Sequence, residues 1–497
     1  MARIARGTHS SHYFYLTSEQ LLFLLITLVA TAVFLYRLGD PALTNWDEAI
    51  YAELAKEMVQ SGDWLTLRWQ QAVWFEKPPL TIWLIAILFR VFAVNEFWAR
   101  AISAFSGVGL VAVVYAIGRL LRGRTCGLLA ALVLLTTFQF VLMARSVNTD
   151  VLLVLFIYLA IYGYLRMRNG DARWWYLIWA SCALGFMVKD FAVLVAPSAI
   201  TLALVFDRQL QQTLRANHFW FGMLLAAVIV VPWHAAMYYL YGTAFANEYF
   251  YYHVWSRTLT ALEGHSETHW WYLKDIGQKF YPWCFIAPLA LVFHAREVKN
   301  GGFLPVLLAL IAIVLGVFTL VQTKMGAYIL PIYPALALLT GELLTWLYAR
   351  RHFVSKVAVI LLCVSFSYIA VGRIKSDYVK IHEWDEAVRE LSLLAATRRV
   401  SPNLILFEFE RHSALFYSGR RVVQASRGIP NSIRDRYRDY QPLAAVTSET
   451  PTEIILYRPE LGPLLPYYVI DISAESHNLL YGTIRKKAQD SIGNPEN

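Results

Sequence analysis

Between Asn45 and Leu80 the chain reads NWDEAIYAELAKEMVQSGDWLTLRWQQAVWFEKPPL, a polar stretch whose two flanks are apolar enough to lie in a bilayer. Its carboxylates, Asp47, Glu48, Glu53, Glu57, Asp63 and Glu76, can remove a proton or ligate a metal ion, and Lys77 can meet a phosphate oxygen. Two pairs stand out. Asp47-Glu48 opens the segment Ala49–Met58, in which Ile50, Leu54 and Met58 fall on one face of a helix. Glu76-Lys77 precedes Pro78-Pro79, and two prolines stop a helix and stiffen the corner that holds both side chains. Plainer roles exist for each: Asp47 as a helix cap, and Lys77 as an interfacial lysine whose ammonium snorkels to water.

Further candidates stand at the ends of other apolar runs. Asp150 closes Arg145-Ser146-Val147-Asn148-Thr149-Asp150 at the head of such a run, where a carboxylate is costly unless it is paired or faces a cavity. Arg145 is its expected partner, and a helix cap is the alternative role. The aromatic stretch 242–280 supplies Asn247, Glu248, His253, Arg257, His265 and His269. Its histidines lack the i, i+4 spacing of a dedicated zinc motif, so a mixed site of one histidine with loop carboxylates is the metal arrangement to expect. Lys324 and Tyr328, at another span end, are candidates for a lipid-linked phosphate or for interfacial anchoring. Lys189 and Asp190 are adjacent and expected to pair with each other.

The elements that must position these residues are membrane helices. Of 497 residues 58% are hydrophobic and 16% charged, against about a quarter charged in an ordinary soluble domain. Seventeen Trp and twenty-nine Tyr suit the belts where amphipathic rings settle at a membrane interface. The net charge of +9 is spread over short loops with no basic stripe, which excludes a nucleic-acid partner and leaves membrane lipids. The four cysteines form no CxxC and read as small core hydrophobes.

Eleven apolar runs are expected to be spans: Leu21–Tyr36, Ala101–Leu121, Gly127–Met143, Val151–Leu165, Trp174–Val188, Phe191–Phe206, Trp220–Tyr241, Tyr281–Phe293, Phe303–Val321, Tyr328–Leu347 and Val354–Val371. The first lacks a cleavage site and is expected to stay as an uncleaved span. With the N-terminus inside, every inner loop is basic, and the residues that could do chemistry fall on the outer side. Pro78–Val94 is expected to be re-entrant or interfacial, since another crossing would invert every later loop. After Arg373 charge runs throughout, with β-like runs at Asn403–Phe409, Ile454–Tyr457 and Tyr467–Ile472 and a helical piece at Glu383–Thr397. The expected fold is mainly α: a polytopic membrane helix bundle of about 11–13 spans with a large extracytoplasmic first loop and a small C-terminal soluble α/β domain. Its parts are a membrane domain over residues 1–375, with outer loops 38–98 and 242–280, and an extracytoplasmic domain over 376–497.

The ordered set of motifs resembles the C-type glycosyltransferases, polytopic membrane enzymes, and within them the bacterial aminoarabinose transferase and protein O-mannosyltransferase group. The resemblance rests on DE-x-x-Y-A-E at Asp47–Glu53, S-G-D-W at Ser61–Trp64, F-E-K-P-P-L at Phe75–Leu80, N-E-F at Asn95–Phe97, Asp150, the aromatic segment Tyr249–His253, and K-x-x-x-Y-I-L-P at Lys324–Pro331. It implies inverting transfer of a glycosyl group from a polyprenyl-phosphate donor to an extracytoplasmic lipid or protein acceptor, at the outer face of the inner (plasma) membrane. Asp47 would be the general base, with Glu48 beside it and Asp150 a second essential carboxylate. Lys77, Arg257, Lys324 and Tyr328 would meet the donor phosphate, and Glu76 with His253 would match a divalent-metal site for Zn, Mg or Mn. Two positions depart from the aminoarabinose transferases, Ile50 in place of Arg and Trp74 in place of Tyr, so the sugar and the acceptor stay open. A secondary transporter would instead gather its charges near the membrane midplane, and an assembly protein without catalysis would have no use for the Asp47, Lys77 and Asp150 set.

Overall fold

A computed structural model describes residues 18–256, 268, 270–295, 303–350, 352–426 and 440–487. The membrane part contains α1 (Ser18–Leu35), α2 (Asp47–Ser61), α3 (Leu80–Val91), α4 (Glu96–Arg122), α5 (Arg124–Leu135), α6 (Phe138–Ala144), α7 (Asp150–Met167), α8 (Trp174–Lys189), α9 (Val195–Phe206) and α10 (Asn217–Phe245). It continues with α11 (Trp271–Lys279), α12 (Ala287–Ala295), α13 (Leu304–Leu320), α14 (Ile332–Tyr348) and the long α15 (Phe353–Arg398). A two-residue hairpin, β1 (Arg68–Trp69) and β2 (Ala72–Val73), lies between α2 and α3. All eleven apolar runs are helical. Among the described residues six helical stretches are long and apolar enough to cross a membrane alone, and α5 with α6 is a pair bent by 73° that forms either a broken span or a re-entrant loop. The chain is a multi-pass membrane protein.

Ion pairs at the helix ends fix the relative direction of α1, α4, α7, α8, α9 and α14. Arg119 at the end of α4 meets Glu19 at the start of α1 (2.8 Å), Arg122 meets Glu342 of α14 (3.2 Å), and Arg168 after α7 pairs with Asp207 after α9. These basic residues mark the inner end. At the opposite end Lys189 closes α8 against Asp150, which opens α7. The 33-residue apolar stretch Trp174–Phe206 is therefore two antiparallel spans folded back at Lys189-Asp190, because both its ends lie with the inner end of α7. Helix α3, with 12 residues, reaches only about 18 Å. That is too short to cross, and it packs on α2 and α4 as the interfacial helix the loop charges require.

The outer end carries the C-terminal domain: α16 (Ser413–Ser418) and a six-stranded sheet of β3 (Asn403–Phe407), β4 (Arg421–Ser426), β5 (Tyr440–Pro442), β6 (Thr452–Tyr457), β7 (Tyr468–Ser476) and β8 (Leu479–Lys486) in the order β5-β4-β3-β6-β8-β7. Strands β3 to β6 are mutually parallel, and β8 and β7 add antiparallel. Along β3 the side chains alternate. Leu404 and Leu406 meet Ala387, Val388 and Leu391 of α15, whereas Ile405 and Phe407 meet Leu443 and Leu464 on the other face. The expected boundary at residue 376 falls inside α15, which runs unbroken from membrane to sheet over 46 residues.

The domain rests on the first outer loop. The Tyr417 hydroxyl accepts from Leu43 N–H at 2.8 Å, the Phe416 carbonyl from Lys56 Nζ at 2.8 Å, and Glu386 Oε1 from Ala42 N–H at 2.7 Å. Phe416 and Tyr417 join Leu54, Met58, Ile82 and Ile85 in one apolar cluster. The tail and the Asp47 loop therefore share a side.

Candidate active site

Asp150 is the first residue of α7, where partial positive charge at a helix start favours a carboxylate. It does not cap the helix. Asn148 does that, its Oδ1 accepting from Val151 N–H at 3.0 Å while its Nδ2 donates to the carbonyls of Met143 and Ser146. Asp150 is 5% exposed and receives Lys189 Nζ at 2.6 Å. The same ammonium stands 5.5 Å from the centre of the Tyr328 ring and within electrostatic reach of Asp47. Two predicted residues, Asp150 and Tyr328, thus meet around one lysine, and a third, Asp47, acts on it electrostatically. Asp47 is exposed at the first turn of α2.

Beside this cluster lies a second one. The Tyr249 hydroxyl donates to Asp190, His234 Nε2 lies 3.0 Å from the same hydroxyl, and Lys77 acts on Asp190 electrostatically. Lys189 and Asp190, expected to pair with each other, instead take separate partners, Asp150 and Tyr249. The turn between α8 and α9 causes this by pointing successive side chains to different clusters. Backbone strain gathers here: Trp46 (φ 65, ψ −127) and Asp190 (φ 47, ψ −134) hold conformations suited to glycine, at a cost of about 1–3 kcal/mol each.

Other expectations are corrected. Glu48 faces a scaffold, not a reacting group: it is 2% exposed, and its oxygens accept from Arg100 Nε (2.8 Å) and Nη2 (2.9 Å), Val147 N–H (2.8 Å), Thr44 N–H (2.8 Å) and Thr44 Oγ1 (3.0 Å). Burial would raise its carboxyl, yet Arg100 and the backbone donors hold it below the ordinary value. Arg100, itself fully buried, donates further to the carbonyls of Leu38, Pro41 and Ala42. Glu48 therefore ties the Asp47 loop to α4 and to the strand of chain entering α7. Arg145 does not meet Asp150. It caps α1 by donating to the carbonyls of Val33 (2.8 Å) and Phe34 (3.1 Å). Lys324 Nζ, 4% exposed, donates to the carbonyls of Phe318 (2.9 Å), Thr319 (2.6 Å) and Val321, so its three protons close the end of α13 and leave none for a phosphate.

Glu76 and Lys77 are both half-buried, on the corner before α3. Arg257 and the side chain of His253 lie outside the described residues. Among the described residues no group of three or more His, Cys, Asp or Glu could hold a metal ion. Sequence reasoning missed Lys189, Asp190 and His234 as members of the site. A lysine and an aspartate set between two apolar runs were the available signal.

Comparison with known proteins follows this geometry. Residues 76–236 match the family described as dolichyl-phosphate-mannose-protein mannosyltransferase. A relative from Shewanella sediminis, named undecaprenyl phosphate-alpha-4-amino-4-deoxy-L-arabinose arabinosyl transferase, is 27% identical over 369 residues, covering 71% of this chain and 65% of its own. The chain thus spans slightly less than two thirds of that relative. The crystal structure of ArnT from Cupriavidus metallidurans bound to undecaprenyl phosphate superposes with a TM-score of 0.75 at 18% identity, over 94% of this chain and 98% of that one. The two proteins share one fold. An Archaeoglobus fulgidus oligosaccharyltransferase, solved as a complex with Zn and sulfate, shares it more distantly, with a TM-score of 0.52 at 11% identity over 93% of this chain and 72% of that one. Asp150, Lys189 and Tyr328 lie together at the end of the bundle opposite the Arg119, Arg122 and Arg168 ion pairs.

Proposed function

We propose that this protein is a membrane glycosyltransferase that moves a sugar from a polyprenyl-phosphate donor to a lipid or protein acceptor on the extracytoplasmic side. The observation that carries this reading is the convergence of Asp47, Asp150 and Tyr328 on Lys189, with Lys77 and Asp190 adjacent. The relatives named above as acting on, or solved with, undecaprenyl phosphate support a donor of that class.

The burial of the two aspartates favours different roles. Asp150 is enclosed and paired, so it holds the Lys189 ammonium in place. Asp47 is exposed, and it is the carboxylate an acceptor hydroxyl can reach. It takes the hydroxyl proton as the oxygen attacks the anomeric carbon, and the polyprenyl phosphate leaves from the opposite face, which inverts the centre. Lys77, together with Lys189, neutralises the charge that develops on the departing phosphate. With its charge balanced, that phosphate needs no proton to leave. By the family resemblance, Glu76 and His253 would hold a divalent ion, which would supply further positive charge.

Asp47→Asn tests the assignment, since Asn keeps the size and the backbone preference at a helix start. Product is followed by mass spectrometry of glycolipids and glycoproteins from cells with and without the protein. The variant should insert normally and bind undecaprenyl phosphate, with turnover reduced about 10²–10⁴-fold. Full turnover in Asp47→Asn with none in Asp150→Asn would exchange the two roles, and activity in both would end the glycosyltransferase reading.

A further inference from the structure

The backbone that carries Asp47 is held on both sides, and one of the two holds comes from the C-terminal domain. Downstream, Glu48 is locked to Arg100. Upstream, Asn45 Oδ1 accepts from the His412 backbone N–H at 2.8 Å and lies 2.9 Å from His412 Nδ1, while Asn45 Nδ2 donates to the Glu410 carbonyl at 3.1 Å. An amide nitrogen facing a carbonyl fixes which end of Asn45 is which. Oδ1 therefore faces the imidazole, and Nδ1 carries a proton and donates it, while Nε2 stands 3.2 Å from Glu410 Oε1. The His412 ring is flanked by Trp46 and Trp69, with ring centres 5.1 and 5.5 Å away.

Docking of the domain does not depend on these bonds, because Phe416, Tyr417, Glu386 and the apolar cluster on α2 and α3 already provide it. What the Asn45 contacts add is local. They end one residue before Trp46, whose backbone sits at φ 65. A tryptophan released from that conformation relaxes toward negative φ, and the relaxation would swing the residue that follows it. That residue is Asp47.

We infer that His412 is a positioning residue for the reaction: by bonding Asn45 through Nδ1 it holds Trp46 in its strained conformation and aims the Asp47 carboxylate at the acceptor. The inference rests on Asp47 being the base. It also gives the C-terminal domain a part in turnover that is separate from binding the donor.

Three variants at one position separate positioning from packing. H412A removes the ring, H412N places an amide donor near the site of Nδ1, and H412Q places one near Nε2 instead. Each is purified and assayed for undecaprenyl phosphate binding and, in membranes, for product formation as a function of donor. H412A and H412Q should lose between about ten- and a hundredfold in maximal rate, with donor KM and undecaprenyl phosphate binding within about twofold of the parent, and H412N should recover most of the rate. A wild-type rate in H412A, an H412N no faster than H412A, or a collapse of undecaprenyl phosphate binding in H412A and H412Q would each overturn the inference. Asp47→Asn is run alongside and leaves the Asn45–His412 contact intact. If that variant retains turnover, the base assignment fails on its own evidence and the positioning role falls with it.

Discussion

Lys77 and Lys324 carry the same charge near the same membrane face and are used differently. Lys324 closes a helix with all three of its protons, whereas Lys77 sits on a proline-stiffened corner beside Asp190. Lys77→Ala should weaken undecaprenyl phosphate binding about ten- to a hundredfold, the worth of a charge-assisted contact, with little change in thermal stability. Lys324→Ala should do the reverse, lowering the unfolding temperature in detergent while binding holds. Equal loss of binding in both would return Lys324 to the phosphate site. The sequence distinguished neither use, because a lysine near a span end reads alike whether its partner is a carbonyl three residues back or a ligand. Asp47, Asp150 and Tyr328 were legible because a carboxylate or phenol in that setting needs a reason. Lys189 was not, because the adjacent Asp190 offers an opposite charge in sequence, whereas its actual partner, Asp150, lies 39 residues away.

At the scale of elements, apolar run length made the spans legible, and basic inner loops made their direction so. The strands at Asn403, Ile454 and Tyr467 were visible as short apolar β-like runs between turn signals. Strand β8 was harder: LLYGTIRK has a glycine in its middle, and Gly482 is required there because a Cβ would lie 2.3 Å from the Asp471 carbonyl oxygen of the neighbouring strand. The join between α15 and the sheet carries a prediction about pH. Asp385 is 5% exposed, its Oδ1 has no hydrogen-bond partner among the described residues, and Arg411 Nε stands 3.7 Å away. Burial pushes its carboxyl up to about 6, and Arg411 only partly opposes this. An unfolded aspartate releases its proton near 4. The stability Asp385 contributes is therefore complete below about pH 4 and lost as pH rises through about 6. Asp385→Asn should raise the unfolding temperature at pH 7.5 by about 2 °C or more, and the gain should vanish at about pH 4. A gain that is independent of pH would locate its cause elsewhere.

For the whole molecule the testable statement is sidedness. Asn169 follows the inner end of α7 and Glu449 lies on the C-terminal domain, and both are exposed. With the four native cysteines replaced, Glu449→Cys should react with an impermeant thiol reagent in intact spheroplasts, and Asn169→Cys only after lysis. The opposite pattern would move the Asp47 loop to the cytosolic side. The last helix has a further consequence, one of phase and height. Each residue inserted into α15 between the bilayer and the sheet turns the C-terminal domain by about 100° and lifts it about 1.5 Å. Seven residues restore the rotation to within about 20°, but by then the domain stands about 10 Å clear of the loop it rests on. No insertion length satisfies both conditions. This stretch of chain should therefore accept changes of residue type far more readily than changes of length, so that the spacing between membrane and sheet behaves as a fixed gauge.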